Sequence, residues 1–397
     1  MTDSANKIKA LAEQFHKEIV DIRRHLHQHP ELSFQEYETS GYIQQQLDKL
    51  GIPYKNDIAD TGIAALIEGK NPTSQVIALR GDFDALPITE ANNVPYKSKN
   101  EGVMHACGHD VHTSSLLGAA RILSELKDSF EGTIKLIFQP GEEKLPGGAS
   151  LMIKDGVLKN PAPEAIFGQH VMPEMETGTV GFRPGKYMAS TDELYIKVKG
   201  KGGHAAMPDM NIDPVLISAH LITALQQVVS RNSPPFTQSV ISIGKVNAEG
   251  ATNVIPDEVM MEGTFRTFDE SWRNKAHERI EAICHNTALA MGGTCELDIQ
   301  RGYPCVENDP ELTENAITHA KKYLGDENVI DLDMRATAED FAYYTQEMPG
   351  CFYRLGTGNK EKGITSSIHT PTFDIDEEAL KTGMGLMAYL ALERLRG

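Results

Sequence analysis

The stretch His105-Ala106-Cys107-Gly108-His109-Asp110 sets a thiol and an imidazole two residues apart, with a glycine between them. In an extended or looped backbone, side chains at i and i+2 point the same way, so Cys107 and His109 are expected to share a direction. Both groups bind first-row transition metals, and Zn²⁺ accepts the mixture. Further donors follow in Gln139-Pro140-Gly141-Glu142-Glu143, Gln169-His170 and His369-Thr370-Pro371. Together they would supply a metal site and a general base.

Glu142-Glu143 follows a strongly apolar strand-like run and a Pro-Gly turn. Loops at the carboxyl ends of strands in an open α/β sheet are the usual place for a site. Adjacent carboxylates are expected to diverge, one binding metal and the other moving protons. Water bound to metal can have its pKa lowered to about 7. A neighbouring glutamate can then take its proton and pass it to a leaving amine. The alternative is a solvated surface pair. His170, at the end of an apolar run, reads also as a core or edge histidine, and His369 as a loop histidine. Arg80-Gly81-Asp82-Phe83-Asp84-Ala85-Leu86-Pro87 closes another strand. With its two acidic residues, Asp82 and Asp84, it reads either as a capped turn or as a carboxylate that orients a histidine ligand.

The elements that must position these residues follow from hydrophobic period. Ile8, Leu11, Phe15, Ile19, Ile22 and Leu26 lie at helical spacing over residues 7–27, before His29-Pro30. A second helix is expected over 36–50, up to Gly51, and a third over about 112–126. Strand-like runs occupy 63–67, 76–79, 134–138 and 165–167, and strands alternating with helices predict a largely parallel sheet covered on both faces. From Glu193 to Lys199 apolar and polar residues alternate, as in a half-exposed strand. Helices at 214–230 and 270–291, and strands at 239–246, 259–268 and 295–300, complete an α+β insert. The expectation is an α/β domain over 1–186 and 301–397, with a mixed, largely parallel sheet flanked by helices, interrupted by a smaller α+β domain over 187–300.

Composition narrows the function. With 38 basic and 56 acidic side chains the net charge is −18, which repels phosphate backbones and disfavours nucleic acid. No run approaches the roughly 18 apolar residues of a membrane span, and no secretory leader is visible, so a cytoplasmic protein is expected. The five cysteines are widely spaced, as in a reducing compartment, and Cys284, Cys295, Cys305 and Cys351 read as ordinary buried thiols. Neither a G-x-G-x-x-G nor a P-loop motif is present.

The motif set resembles the aminoacylase/carboxypeptidase clan of dinuclear metallohydrolases. The similarity is to the amidohydrolase branch of hippurate hydrolases, auxin-conjugate hydrolases and N-acetyl-diaminopimelate deacetylases. It runs from Arg24-His25-Leu26-His27-Gln28-His29-Pro30-Glu31-Leu32 through Gly81 to Pro87, His105 to Asp110, Glu142-Glu143, Gly202-Gly203-His204-Ala205 and Thr252-Asn253-Val254-Ile255-Pro256, ending at Thr370-Pro371 and Phe373. The resemblance implies Cys107, His109, Glu143, His170 and His369 as ligands of two divalent ions (zinc, manganese, nickel or cobalt). It implies Glu142 as general base, with Asp84 in the catalytic set. The insert becomes a lid and dimerisation domain. Its His204 reaches a partner subunit's site to stabilise an oxyanion, and Asn253 and Arg266 bind the substrate's oxygens and carboxylate. One departure is Asp82-Phe83-Asp84, where the clan's peptidase branches carry His-x-Asp; together with the Cys107 thiolate it marks the amidohydrolase branch and bears on the second metal.

The implied activity is hydrolysis of N-acyl amino acids by a homodimer, through metal-activated water and Glu142. A dipeptidase or aminopeptidase on the same site is the first rival; it would want an acidic anchor for a free amino group. A non-catalytic binding protein is the second, and loss of Glu142 or of ligands would have favoured it.

Overall fold

The structure is a computed structural model that describes residues 2–396. The chain forms two compact units. The larger takes in the chain up to Lys186, Glu307–Met334 and the chain from Asp340 onward; the smaller comprises Tyr187–Val306 and Arg335–Glu339.

The larger unit is built on an eight-stranded mixed sheet. Its centre consists of Thr133–Gln139, Val76–Asp82, Ala165–Glu176 and Gly350–Gly358, parallel in that order. Val76–Asp82, Thr133–Gln139 and Gly350–Gly358 are buried along their whole lengths, which accounts for their largely apolar sequences. Gly62–Glu68 adds antiparallel to Thr133–Gln139, and Val180–Phe182 antiparallel to Gly350–Gly358. The α/β expectation therefore holds.

Helices Thr2–Gln28, His109–Leu126 and Ala379–Arg396 pack against one another over this sheet. The contact is close at Gly118, where an added Cβ would lie 2.7 Å from Met384 and 3.2 Å from Ile19. Burying Ile19, Leu116, Leu123, Leu386 and Leu390 completely or nearly so stabilises the layer by about 1.5–3 kcal/mol for each large apolar side chain.

The smaller unit has an antiparallel sheet in the order Ser239–Asn247, Glu258–Thr267, Asp192–Lys199, Thr294–Arg301. Asp192–Lys199 buries alternate residues. Helices Pro214–Gln227 and Glu270–Ala290 supply Leu221, Trp272 and Ile280 to its core beside Leu194, Ile196 and Phe265. Asp213 and Asp269 cap their first turns by accepting backbone N–H bonds. Arg273 lies buried against Asp192, donating to both carboxylate oxygens at 2.6 and 3.0 Å. All five cysteines are free and buried. Among the described residues, no helix is long and apolar enough to cross a membrane.

Candidate metal centre

Val76–Asp82 and Thr133–Gln139 run parallel and end level, with Asp82 opposite Gln139. Beyond them lie Asp84 and the Pro140-Gly141-Glu142-Glu143 turn. Gly141 has φ 58°, a left-handed conformation suited to glycine, and a Cβ there would strike the Phe34 ring at 2.3 Å.

Cys107 and His109 do not share an extended segment. Gly108 is left-handed at φ 80°, and His109 is the first residue of helix His109–Leu126. The turn still brings the two donors together: the donor atoms of Cys107, His109 and His170 lie within 4.8 Å of one another. His170 does not end its strand but sits inside Ala165–Glu176. That strand continues past its last pair with Val76–Asp82, Arg80 opposite Gly168, and this overrun carries His170 to the site. His369 has φ 60°, and its N–H donates to the Ala106 carbonyl at 2.7 Å, fastening its loop beside Cys107.

His369 Nε2 lies 3.2 Å from both Cys107 Sγ and Glu143 Oε1. His170 Nε2 lies 3.4 Å from Cys107 Sγ. The two carboxylates converge rather than diverge: Glu142 Oε2 and Glu143 Oε1 are each 3.9 Å from His109 Nε2. The Gly141 turn lets both side chains lean toward the helix start.

The outer ring nitrogens are held. His109 Nδ1 donates to Asp84 Oδ1 at 3.0 Å, and His170 Nδ1 to the Val171 carbonyl at 2.8 Å. Each Nε2 is thereby turned inward, the arrangement expected of metal-binding histidines. Asp84 Oδ2 accepts from Ser33 Oγ at 2.7 Å and from Glu143 N at 3.0 Å.

Sequence reasoning passed over His112. Val171 N donates to its Nε2 at 2.9 Å, and its Nδ1 donates to Asp82 Oδ1 at 2.5 Å. Both nitrogens are engaged, so His112 positions the strand at His170 and is no ligand. Its signal was present in His109-x-x-His112, which a helix places on one face. Asp82 Oδ2 in turn accepts from buried Arg80 at 2.6 Å, and Arg80 also donates to Asp340 Oδ1 at 2.8 Å.

Burial opposes a charge on His109, but Asp82, Asp84 and Glu143 outweigh it and push its pKa up to about 10. Burial, then Glu143 and Glu142, hold the Cys107 thiol well above the ordinary range. Burial and the Arg354 charge keep His170 neutral. This crowding of acidic groups suits a divalent cation, which would displace the retained protons. His109 Nε2 is also buried without a hydrogen-bond partner. The thiol, imidazole and carboxylate donors fit a first-row divalent ion on both counts.

The remaining expected residues lie in the smaller unit. Gly203–His204 pairs with Val254–Ile255, His204 opposite Val254, and Ala205 N donates to the Asn253 carbonyl at 3.0 Å. His204 and Asn253 are therefore neighbours, both exposed. Arg266 lies half-buried on Glu258–Thr267, opposite Val240.

Residues 78–393 match the profile of peptidase family M20/M25/M40. The N-acetyl-L-cysteine deacetylase of Bacillus subtilis is 41% identical over 92% of this chain and 85% of its own. Thermostable carboxypeptidase 2 of Saccharolobus solfataricus is 38% identical over 98% of this chain and 99% of its own. The YxeP protein of Bacillus subtilis, a dinuclear metal-binding peptidase of family M20, has a crystal structure that superposes with a TM-score of 0.84. It is 37% identical over 97% of this chain and 99% of its own.

Proposed function

Since this chain belongs to peptidase family M20/M25/M40, we propose that it is a divalent-metal amidohydrolase that splits N-acyl amino acids into a carboxylate and a free amino acid. The observation that carries the reading is the gathering of Cys107, His109, Glu143, His170 and His369 around a buried thiol, with Glu142 alongside. The likeness to an N-acetyl-L-cysteine deacetylase supports the substrate class.

Those five residues would hold two ions, with zinc, manganese, nickel and cobalt all compatible with a thiol–imidazole–carboxylate set. When bound, the ions supply Lewis acidity toward the scissile carbonyl. Glu142 takes the proton of the attacking water and returns it to the departing amine nitrogen. Asp84 holds His109 by its Nδ1–H. The smaller unit acts as lid and dimerisation domain over 187–300 in a cytoplasmic homodimer. Its His204 donates to the oxyanion in a partner's site, and Asn253 and Arg266 grip the amino acid's oxygens and carboxylate.

Metal-stripped protein, reloaded with each of the four metals, is assayed on N-acetyl, N-benzoyl and longer N-acyl amino acids against dipeptides. Release of amino acid from the acylated substrates, abolished by chelation, is the expected result. Full activity in verified metal-free protein would overturn the reading. The carboxypeptidase relative favours one alternative: preference for unblocked dipeptides would make the chain a peptidase on the same site.

A further inference from the structure

The segment from Arg23 to Glu36 contributes no donor to the metal cluster and lies outside residues 78–393 of the family match. It nevertheless touches the segments that carry the donors. Arg23 is wholly buried. Its Nε donates to Asp110 Oδ2 at 2.8 Å and its Nη2 to Asp374 Oδ1 at 3.1 Å. Asp110 directly follows His109; Asp374 lies in the chain that follows His369. One planar guanidinium thus bridges the Cys107–His109 turn and the His369 loop, in a fixed geometry that only arginine provides. His27 Nδ1 adds a contact to Asp110 Oδ2 at 2.8 Å, and Tyr96 Oη donates to Asp374 Oδ2 at 2.8 Å.

Farther along, Ser33 donates to Asp84, the carboxylate that orients His109. Glu36 Oε1 accepts from Gly141 N at 2.9 Å, and Phe34 packs on Gly141, so the Glu142-Glu143 turn is braced from behind. The Ala85 N–H donates to the Glu31 carbonyl at 2.8 Å, holding the segment against the loop after Val76–Asp82.

We propose that this segment is the spacing frame of the metal centre, with Arg23 as the positioning residue that sets the distance between the Cys107–His109 turn and the His369 loop. The proposal rests on the metal reading given above. Residues that orient metal ligands from behind typically cost 10–100-fold in metal affinity when lost.

The test is a Zn²⁺ titration of the metal-stripped full chain against a chromophoric chelator, for wild type, Arg23→Gln, Arg23→Lys and Asp374→Ala. Lys135→Met is the control. The Lys135 ammonium donates to the Val157, Lys159 and Pro161 carbonyls, none of which lies in a segment that carries a donor. Arg23→Gln and Asp374→Ala are expected to weaken Zn²⁺ binding about 10–100-fold, with Arg23→Lys between them and wild type. Lys135→Met is expected to lower the urea midpoint and leave Zn²⁺ affinity unchanged. If Arg23→Gln fails to fold, Asp374→Ala decides. Wild type that binds no Zn²⁺ defeats the metal reading itself. Wild type that binds, with folded variants that bind equally well, defeats this inference alone.

Discussion

Glu36 gives a pH dependence whose sign and size follow from its surroundings. Its carboxyl is buried, and burial together with the Asp84 charge pushes its pKa from 4.5 up to about 7. The folded chain therefore keeps a proton that the unfolded chain has already released. Below about pH 4.5 both states are protonated and the group costs nothing. Between 4.5 and 7 stability falls as pH rises, and above 7 the loss is complete. At about 1.4 kcal/mol per pH unit, that loss is about 3 kcal/mol. Glu36→Gln keeps the shape: its amide oxygen accepts from Gly141 N, and its NH₂ faces Thr61 Oγ1, which donates to Glu36 Oε2 at 3.1 Å in the present chain and can instead accept. The variant should exceed wild type by less than about 1 kcal/mol at pH 5 and by about 3 kcal/mol at pH 8. Urea unfolding of metal-stripped protein at four pH values between 5 and 8 measures the difference. A stability difference that does not grow with pH would refute the reasoning, because Glu36 would then titrate like an exposed carboxylate.

Further outcomes follow from the other contacts. Glu142→Gln should retain metal while losing about 10²–10⁴ in kcat, whereas Glu143→Gln should lose metal; elemental analysis beside kinetics would expose swapped roles. Cys107→Ser should weaken metal binding and Cys351→Ser should not, since Cys351 lies wholly buried in Gly350–Gly358; chelator competition reads both. Arg273→Met strips Asp192 of its two guanidinium bonds and should destabilise the smaller unit by about 3–5 kcal/mol, seen as a lower thermal midpoint; an unchanged midpoint would contradict it. If His204 serves a partner's site, mixing inactive His204→Ala with inactive Glu142→Gln chains should restore activity. Tagged heterodimers that stay inactive would confine His204 to its own chain.

The sequence disclosed the elements well where period was strong. Helices at Thr2–Gln28 and Tyr37–Leu50 and strands Val76–Asp82 and Thr133–Gln139 stand close to where apolar spacing put them, because buried parallel strands are largely apolar, whereas strand Gly350–Gly358 was not anticipated. It also singled out the six side chains that the fold gathers at the centre. Each of those lies in a loop, at the start of a helix, or where an apolar run breaks at a polar residue. What stayed hidden depends on pairing between distant segments. That His170 overruns its neighbouring strand follows from the Arg80–Gly168 register, which no local pattern encodes. The convergence of Glu142 and Glu143 depends on where helix His109–Leu126 begins. The Asp82–His112–Arg80–Asp340 web joins residues as far apart in sequence as 80 and 340, so its members read singly as a capped turn and unremarked core polar groups.

The donors of the centre run from Cys107 to His369, on strands and loops that a ribosome delivers in order. Loop-closure entropy and high sequence separation make such contacts the slowest to form. While the chain is being made, Cys107, His109, Glu143 and His170 emerge as an incomplete set. The smaller unit, with a core of its own, can fold while the parent sheet still lacks Gly350–Gly358 and helix Ala379–Arg396 is unmade. On the proposed ligand set, metal capture by all five residues therefore comes late in biosynthesis. It requires almost the whole chain, and the Cys107 thiol spends that interval without the His369 loop beside it.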